Sequence, residues 1–181
     1  MQDPLILCAE IMDFLAIPYC IVGSYAVACY GVPRQTGDVD VLAVIDGDAA
    51  AVAKKLRGLG FEVSLSRADL LDPRGDLITI ASDLPIQLIK AKYEYQLDAV
   101  RNAITVPYEG RELRVVSLED LVLLKLKAGS PLDLNDIQSI MKVQGSNLDI
   151  ASLMERARRI RVDRRLRALL AKTTLPGGPD A

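Results

Sequence analysis

Two aspartates one residue apart, Asp38 and Asp40 in "DVDVLAVI", are the side chains in this sequence best placed to do chemistry. In an extended strand residues i and i+2 point to the same face, about 7 Å apart along the chain, so the two carboxylates converge on one space. Like charges held together raise each other's pKa unless a cation sits between them. Magnesium, a hard ion that prefers carboxylate and phosphate oxygens, answers that need. A lone Asp-x-Asp is a weak signal, because exposed strand ends often carry one. The upstream pair Gly23-Ser24 strengthens it. There the apolar run "YCIV" reads as a strand ending in glycine, and "SYAVACYG" as a short helix with Ser24 as its N-cap and Gly31 at its end. A strand that turns so into a helix aims free backbone amides outward, as a phosphate cradle. By itself Ser24 is an ordinary cap. With the Asp pair and with Arg34 in the connecting loop "PRQTG", it predicts a metal–triphosphate site.

The segment "VGSYAVACYGVPRQTGDVDVLAVI" resembles the Gly-Ser…Asp-x-Asp signature of the DNA polymerase beta superfamily of nucleotidyltransferases. "SLEDLVLLKLKAGSPLDLNDI" is similar to the downstream segment of the small bacterial branch that includes abortive-infection toxin nucleotidyltransferases. Together they cover most of Ile21 to Ile137. The resemblance implies a small mixed sheet flanked by helices and two magnesium ions on Asp38 and Asp40. It implies a triphosphate held by Gly23 and Ser24, with Arg34 and Thr36 of the Arg-x-Thr that precedes the acids. Lys125 matches the family's lysine and would reach phosphate; read from its helix alone, it is a lysine snorkelling from an amphipathic face. The implied reaction moves a nucleoside monophosphate from a triphosphate to a hydroxyl on RNA, protein or a small molecule and releases pyrophosphate, by two-metal in-line displacement.

One position departs from the pattern. The family brings a third acid from a neighbouring strand, and Gln87 of "LPIQLIKAKYEYQLDAV" stands where that acid is expected. A glutamine offers a neutral carbonyl and cannot serve as a general base. Three readings stay open. Asp83, Asp76 or Glu94 supplies the acid; metal-bound water suffices at a reduced rate; or the chain binds nucleotide without turnover, as a silent interaction module or a toxin–antitoxin component. Strand alternation predicts that Gln87 shares the space of Asp38 and Asp40, with Ile86 and Leu88 buried behind it.

The elements that must position these residues follow from periodicity and punctuation. Leu5 to Leu15 has helical spacing, Asp48 to Leu59 is an Ala-rich helix closed by Gly60, and "FEVSL", "DLITIAS" and "PIQLIKA" read as strands. Tyr93 to Ala103 reads as a helix, and "AITVPYEGRELRVVS" as a hairpin about Glu109-Gly110. From Ser117 the period is helical throughout. Ser117 with Asp120, and Ser130 with Pro131 and Asp133, carry capping-box spacing, and two more helices run from about Leu148 to Ile160 and Asp163 to Lys172. This order predicts an α+β fold: a nucleotidyltransferase-like core over 1–116, a C-terminal helical bundle over 117–174 packed on it, and a flexible tail over 175–181.

Composition sets the outer limits. The chain of 181 residues is 50% hydrophobic but only 4% aromatic, so its core must be aliphatic. It has no histidine, which excludes imidazole acid–base catalysis and His-ligated zinc. Cys8, Cys20 and Cys29 lack metal-binding spacing and sit in apolar settings, which predicts buried free thiols in a reducing cytoplasm. The N-terminus shows no basic leader, and no apolar run reaches the length of about 18 residues that spans a membrane. Net charge is −2, but Met154 to Thr174 holds eight Lys or Arg against two acids. That basic end, with Arg156, Arg158, Arg159 and Arg161, reads either as a solvated helix face or as contacts to RNA phosphates.

Overall fold

The computed structural model describes residues 3–67 and 75–173. Its strands are β1 (Tyr19–Ile21), β2 (Val39–Ala43), β3 (Val63–Ser66), β4 (Leu77–Ile80), β5 (Ile86–Lys90), β6 (Ile104–Tyr108) and β7 (Arg111–Val115). Its α-helices are α1 (Pro4–Leu15), α2 (Gly23–Cys29), α3 (Ala49–Gly58), α4 (Glu94–Arg101), α5 (Leu118–Ala128), α6 (Pro131–Gln144), α7 (Ile150–Arg159) and α8 (Asp163–Leu170). The strands form one mixed sheet in the order β3-β4-β5-β2-β1-β7-β6. The tail 175–181 lies outside the described residues.

Central strand β2 explains the architecture around the site. It pairs antiparallel with β1 and parallel with β5, in the register Val39↔Ile86, Asp40↔Gln87 and Val41↔Leu88. Val39 and Val41 are fully buried, and Leu42, on the face of Asp40, is 2% exposed. Both faces of the strand are therefore covered, and Asp40 opens a polar gap in one of them. The same logic fixes β5. Turning that strand over would expose Ile86 and Leu88, each worth about 1.5–3 kcal/mol when buried, and drive Gln87 into the core. Gln87 therefore stays on the carboxylate face, as alternation predicts.

Local chemistry sets the helix ends. Asp3 accepts from the amides of Leu5 and Ile6 at the start of α1. Ser117 accepts from the amide of Asp120 at the start of α5, and Gly129, at φ 69°, ends that helix in the left-handed conformation. Ser130 and Asp133 make a reciprocal capping box on α6. In the hairpin β6–β7, Glu109 and Gly110 both have positive φ, the requirement of a tight two-residue turn. Helix α5 packs against α4, α6 and α7, so the C-terminal helices gather around it.

Three expectations need correction. Ser24 is not the cap of α2: the helix starts at Gly23, its N-cap is Val22, and no side chain caps it. Cys8 and Cys20 are buried free thiols, but Cys29 is exposed on α2, because only Ala26 and Val27 of that helix are buried. Arg156 does not belong to a solvated basic face. It forms an ion pair with Asp120, which is 1% exposed and also accepts from Ser117 and Asn102. No helix among the described residues is long and apolar enough to cross a membrane.

Candidate active site

The turn from β1 into α2 is built on Gly23. Its φ of +62° lies in the left-handed region that favours glycine, and a Cβ there would come within 2.9 Å of the Asp40 Cβ. Only a residue without a side chain lets the α2 N-terminus lie against the carboxylate of Asp40. Ser24 follows in the first turn of α2, half-buried beside this contact.

Asp38 stands just before β2, with its carboxylate oriented from both sides. The Thr36 hydroxyl lies 3.1 Å from Oδ1 and 3.0 Å from the Asp38 carbonyl oxygen. Gln87 Nε2 donates to Oδ2 at 2.8 Å. Thr36, expected as a phosphate ligand, is thus placed to orient a carboxylate. Asp76 and Glu94, two of the alternative acids, form ion pairs with Arg67 and Arg101. Among the described residues no third acid or thiol completes a metal-holding group with the Asp pair, so Asp83 does not supply it either.

A second charged cluster faces the first. Lys125 on α5 is only 6% exposed, and its ammonium donates to Asp136 at 2.6 Å and to Asp133 at 3.2 Å. Arg34 also forms an ion pair with Asp136. Lys125 is therefore a buried, doubly paired cation rather than a snorkelling one, and Arg34 is held by α6 rather than extended toward solvent. Asp133 has two tasks: one oxygen caps α6 through Ser130 while the other holds Lys125.

Between the two clusters lies a cavity of about 220 Å³, lined by Gly23, Asp40 and Lys125 at its polar part and by Leu42, Ile89 and Leu121 along the sheet and α5. Gln96 contributes a wall after folding back to accept from the amides of Lys92 and Tyr93 at 2.8 and 3.0 Å, which fixes the start of α4. Sequence reasoning missed this cavity and the double role of Asp136. The i, i+3 spacing of Asp133 and Asp136 was the available signal, but it does not say which cation faces them.

Burial pushes the Asp40 carboxyl up to about 6; the charge of Asp38 adds to this, while Lys125 and Arg34 oppose it. The folded state thus binds a proton more tightly at Asp40 than the unfolded chain does. The associated stability is fully present below the usual carboxylate range and is lost as pH rises through about 6. In chelator, the melting temperature should fall between pH 5 and 7. Asp40→Asn should flatten that fall and stabilise the protein at pH 7 by up to about 3 kcal/mol. Parallel melting profiles for the two proteins would refute the assignment. The carboxylates of Asp38 and Asp40 are hard oxygen donors, and they fit a divalent cation such as magnesium.

No curated protein matches the chain in sequence. Among solved structures, an antigenic nucleotidyltransferase-like protein from Paracoccidioides brasiliensis is similar at 18% identity and TM-score 0.53, over 94% of this chain and 92% of that one. The lincosamide antibiotic adenylyltransferase LnuA, solved with lincomycin bound, is similar at 14% identity and TM-score 0.53, over 79% of this chain and 98% of its own. ANT(2″)-Ia, solved with adenylyl-2″-tobramycin, is similar at 17% identity and TM-score 0.51, over 93% and 97% of the two chains. These likenesses establish the fold. The model of one family, described as nucleotidyltransferase of unknown function (DUF6036), matches residues 9–172. A Gly23 turn pressed against Asp40, on the sheet of a nucleotidyltransferase fold, accords with that match, and the chain belongs to this nucleotidyltransferase family.

Proposed function

We propose that this protein transfers a nucleoside monophosphate from a nucleoside triphosphate to an acceptor hydroxyl, releasing pyrophosphate. The observation that carries this reading is a cavity lined together by the glycine turn of α2, by the Asp40 on which that turn presses, and by Lys125. The acceptor oxygen gives up its proton to solvent and forms the new bond to the α-phosphorus as the α–β phosphoanhydride bond breaks, and the electron pair leaves on pyrophosphate. Gly23 and the first turn of α2 bind phosphate through backbone amides. Lys125, held in place by its two aspartates, faces the developing negative charge. Asp38 and Asp40 would hold magnesium, which when bound neutralises phosphate oxygens and lowers the pKa of an attacking hydroxyl.

The acceptor we favour is RNA. Lys127 lines the cavity and donates to the carbonyl of Ile160 at 3.2 Å, which sets the junction of α7 and α8 at the cavity rim. Arg158 and Arg161 are exposed there, and Arg159 is exposed in a surface pair with Glu155. Such guanidinium groups suit a phosphate backbone. A small-molecule acceptor, as in the antibiotic complexes of the two similar enzymes, is the competing outcome. A silent nucleotide-binding module is the second reading, favoured by Gln87 in place of an acid.

Calorimetry tests the shared first step of both readings. Triphosphate binding should require a divalent ion, because Asp38 and Asp40 otherwise repel the phosphates. Equal affinity in magnesium and in excess chelator would sink the assignment of the Asp pair.

A further inference from the structure

We infer that Gln87 is a positioning residue that makes this a one-ion site: its amide orients Asp38 for a single divalent cation and removes the carboxylate that a second ion would need. The inference rests on the reading of Asp38 and Asp40 as metal ligands.

The geometry starts from register. Gln87 lies opposite Asp40 across the β2–β5 pair, so the two side chains leave the sheet on the same face, one strand spacing apart. From there the Gln87 amide reaches Asp38 rather than Asp40, donating to Oδ2 at 2.8 Å. A carboxylate is an acceptor only, so the NH₂ end of the amide must be the end that faces it. Thr36 lies at the other oxygen of Asp38. Asp38 is therefore held by two neutral groups, which fix its direction without adding charge.

Charge counting leads to the same conclusion. Asp133 and Asp136 are ion-paired with Lys125 and Arg34, and Lys127 is turned to the carbonyl of Ile160. That leaves the two carboxylates of Asp38 and Asp40, whose charge one divalent ion neutralises. An aspartate at position 87 would leave three carboxylates facing one another, an arrangement that calls for a further cation. No other acid among the described residues is near enough to serve instead. The glutamine amide nitrogen is already committed to Asp38, and its neutral oxygen is a weaker ligand than a carboxylate bridging two ions.

Manganese alone, titrated against the full chain and followed by paramagnetic resonance of the free ion, tests this without a turnover assay. The wild type should take up one ion per chain. Gln87→Leu should still take up one, but with affinity about 10–100-fold weaker, the usual cost of losing a group that orients a metal ligand. Gln87→Asp should take up two, and its melting temperature in chelator should fall below that of the wild type and recover when manganese is added. Thermal melts in chelator report directly on whether each variant folds. Should Gln87→Leu fail to fold, the stoichiometries of the wild type and Gln87→Asp still decide. Two ions on the wild type would overturn the one-ion inference while leaving the Asp pair as ligands. Unchanged affinity in Gln87→Leu would overturn the positioning role. No uptake by the wild type, with Asp38→Asn as control, would overturn the ligand assignment itself.

Discussion

Gly23→Ala is expected to cost at least about 100-fold in nucleotidyl transfer, and to destabilise the fold as well. The residue sits at φ +62°, where an L-side chain loses roughly 1–2 kcal/mol. The larger effect is spatial. The new Cβ would press on Asp40 at its Cβ and Cγ, both within 2.9 Å, and not only at the mobile end of the side chain. Rotating the carboxylate away does not clear a contact with its Cβ, so β2 or the α2 turn must shift. Displacements of about 1 Å at a reacting centre cost on the order of 100-fold in rate. Transfer rates measured beside a melting curve separate the two effects. An alanine variant that is folded and fully active would show that the close approach of α2 to Asp40 has no part in catalysis.

Arg156→Met is expected to be the most destabilising change among the C-terminal arginines. Asp120 is 1% exposed and accepts from Ser117 at 2.7 Å and Asn102 at 3.1 Å, with Arg156 supplying the countercharge. These contacts join α4, α5 and α7. Removing one partner of a buried ion pair costs about 3–5 kcal/mol, because the remaining charge is left uncompensated. For a chain of this size that is roughly 6–20 °C in melting temperature. Arg158→Gln and Arg161→Gln, at exposed positions, should stay within about 0.5 kcal/mol of the wild type. They should instead weaken RNA binding and reduce its salt dependence. If Arg156→Met melts like the wild type, the Asp120 network does not hold the helices together.

That contrast shows what could be read in the sequence and what could not. Signals that act over a few residues were legible: the glycine turn, the Asp-x-Asp strand, both serine caps after residue 116, and the hairpin at Glu109-Gly110. The face on which Gln87 lies was legible too, because the apolar pair Ile86 and Leu88 determines it. Pairings between distant residues were not. Arg156 is 36 positions from Asp120, and Arg34 is 102 from Asp136. A run of arginines looks equally solvated whether or not one of them reaches into the core. The strand order β3-β4-β5-β2-β1-β7-β6 was hidden for the same reason. Ser24 was misread as a cap because the left-handed Gly23 begins α2 two residues earlier than a cap at Ser24 requires.

The most direct test of nucleotidyl transfer at the Asp pair uses each of the four nucleoside triphosphates labelled at the α-phosphate, with magnesium and total RNA. The account predicts label covalently joined to RNA, stoichiometric pyrophosphate, no transfer from a γ-labelled triphosphate, and loss of transfer when Asp38 and Asp40 are both replaced by asparagine. A doubly substituted protein that still transfers label, or a wild type that binds triphosphate with magnesium but never releases pyrophosphate with RNA, protein or small-molecule acceptors, would contradict it.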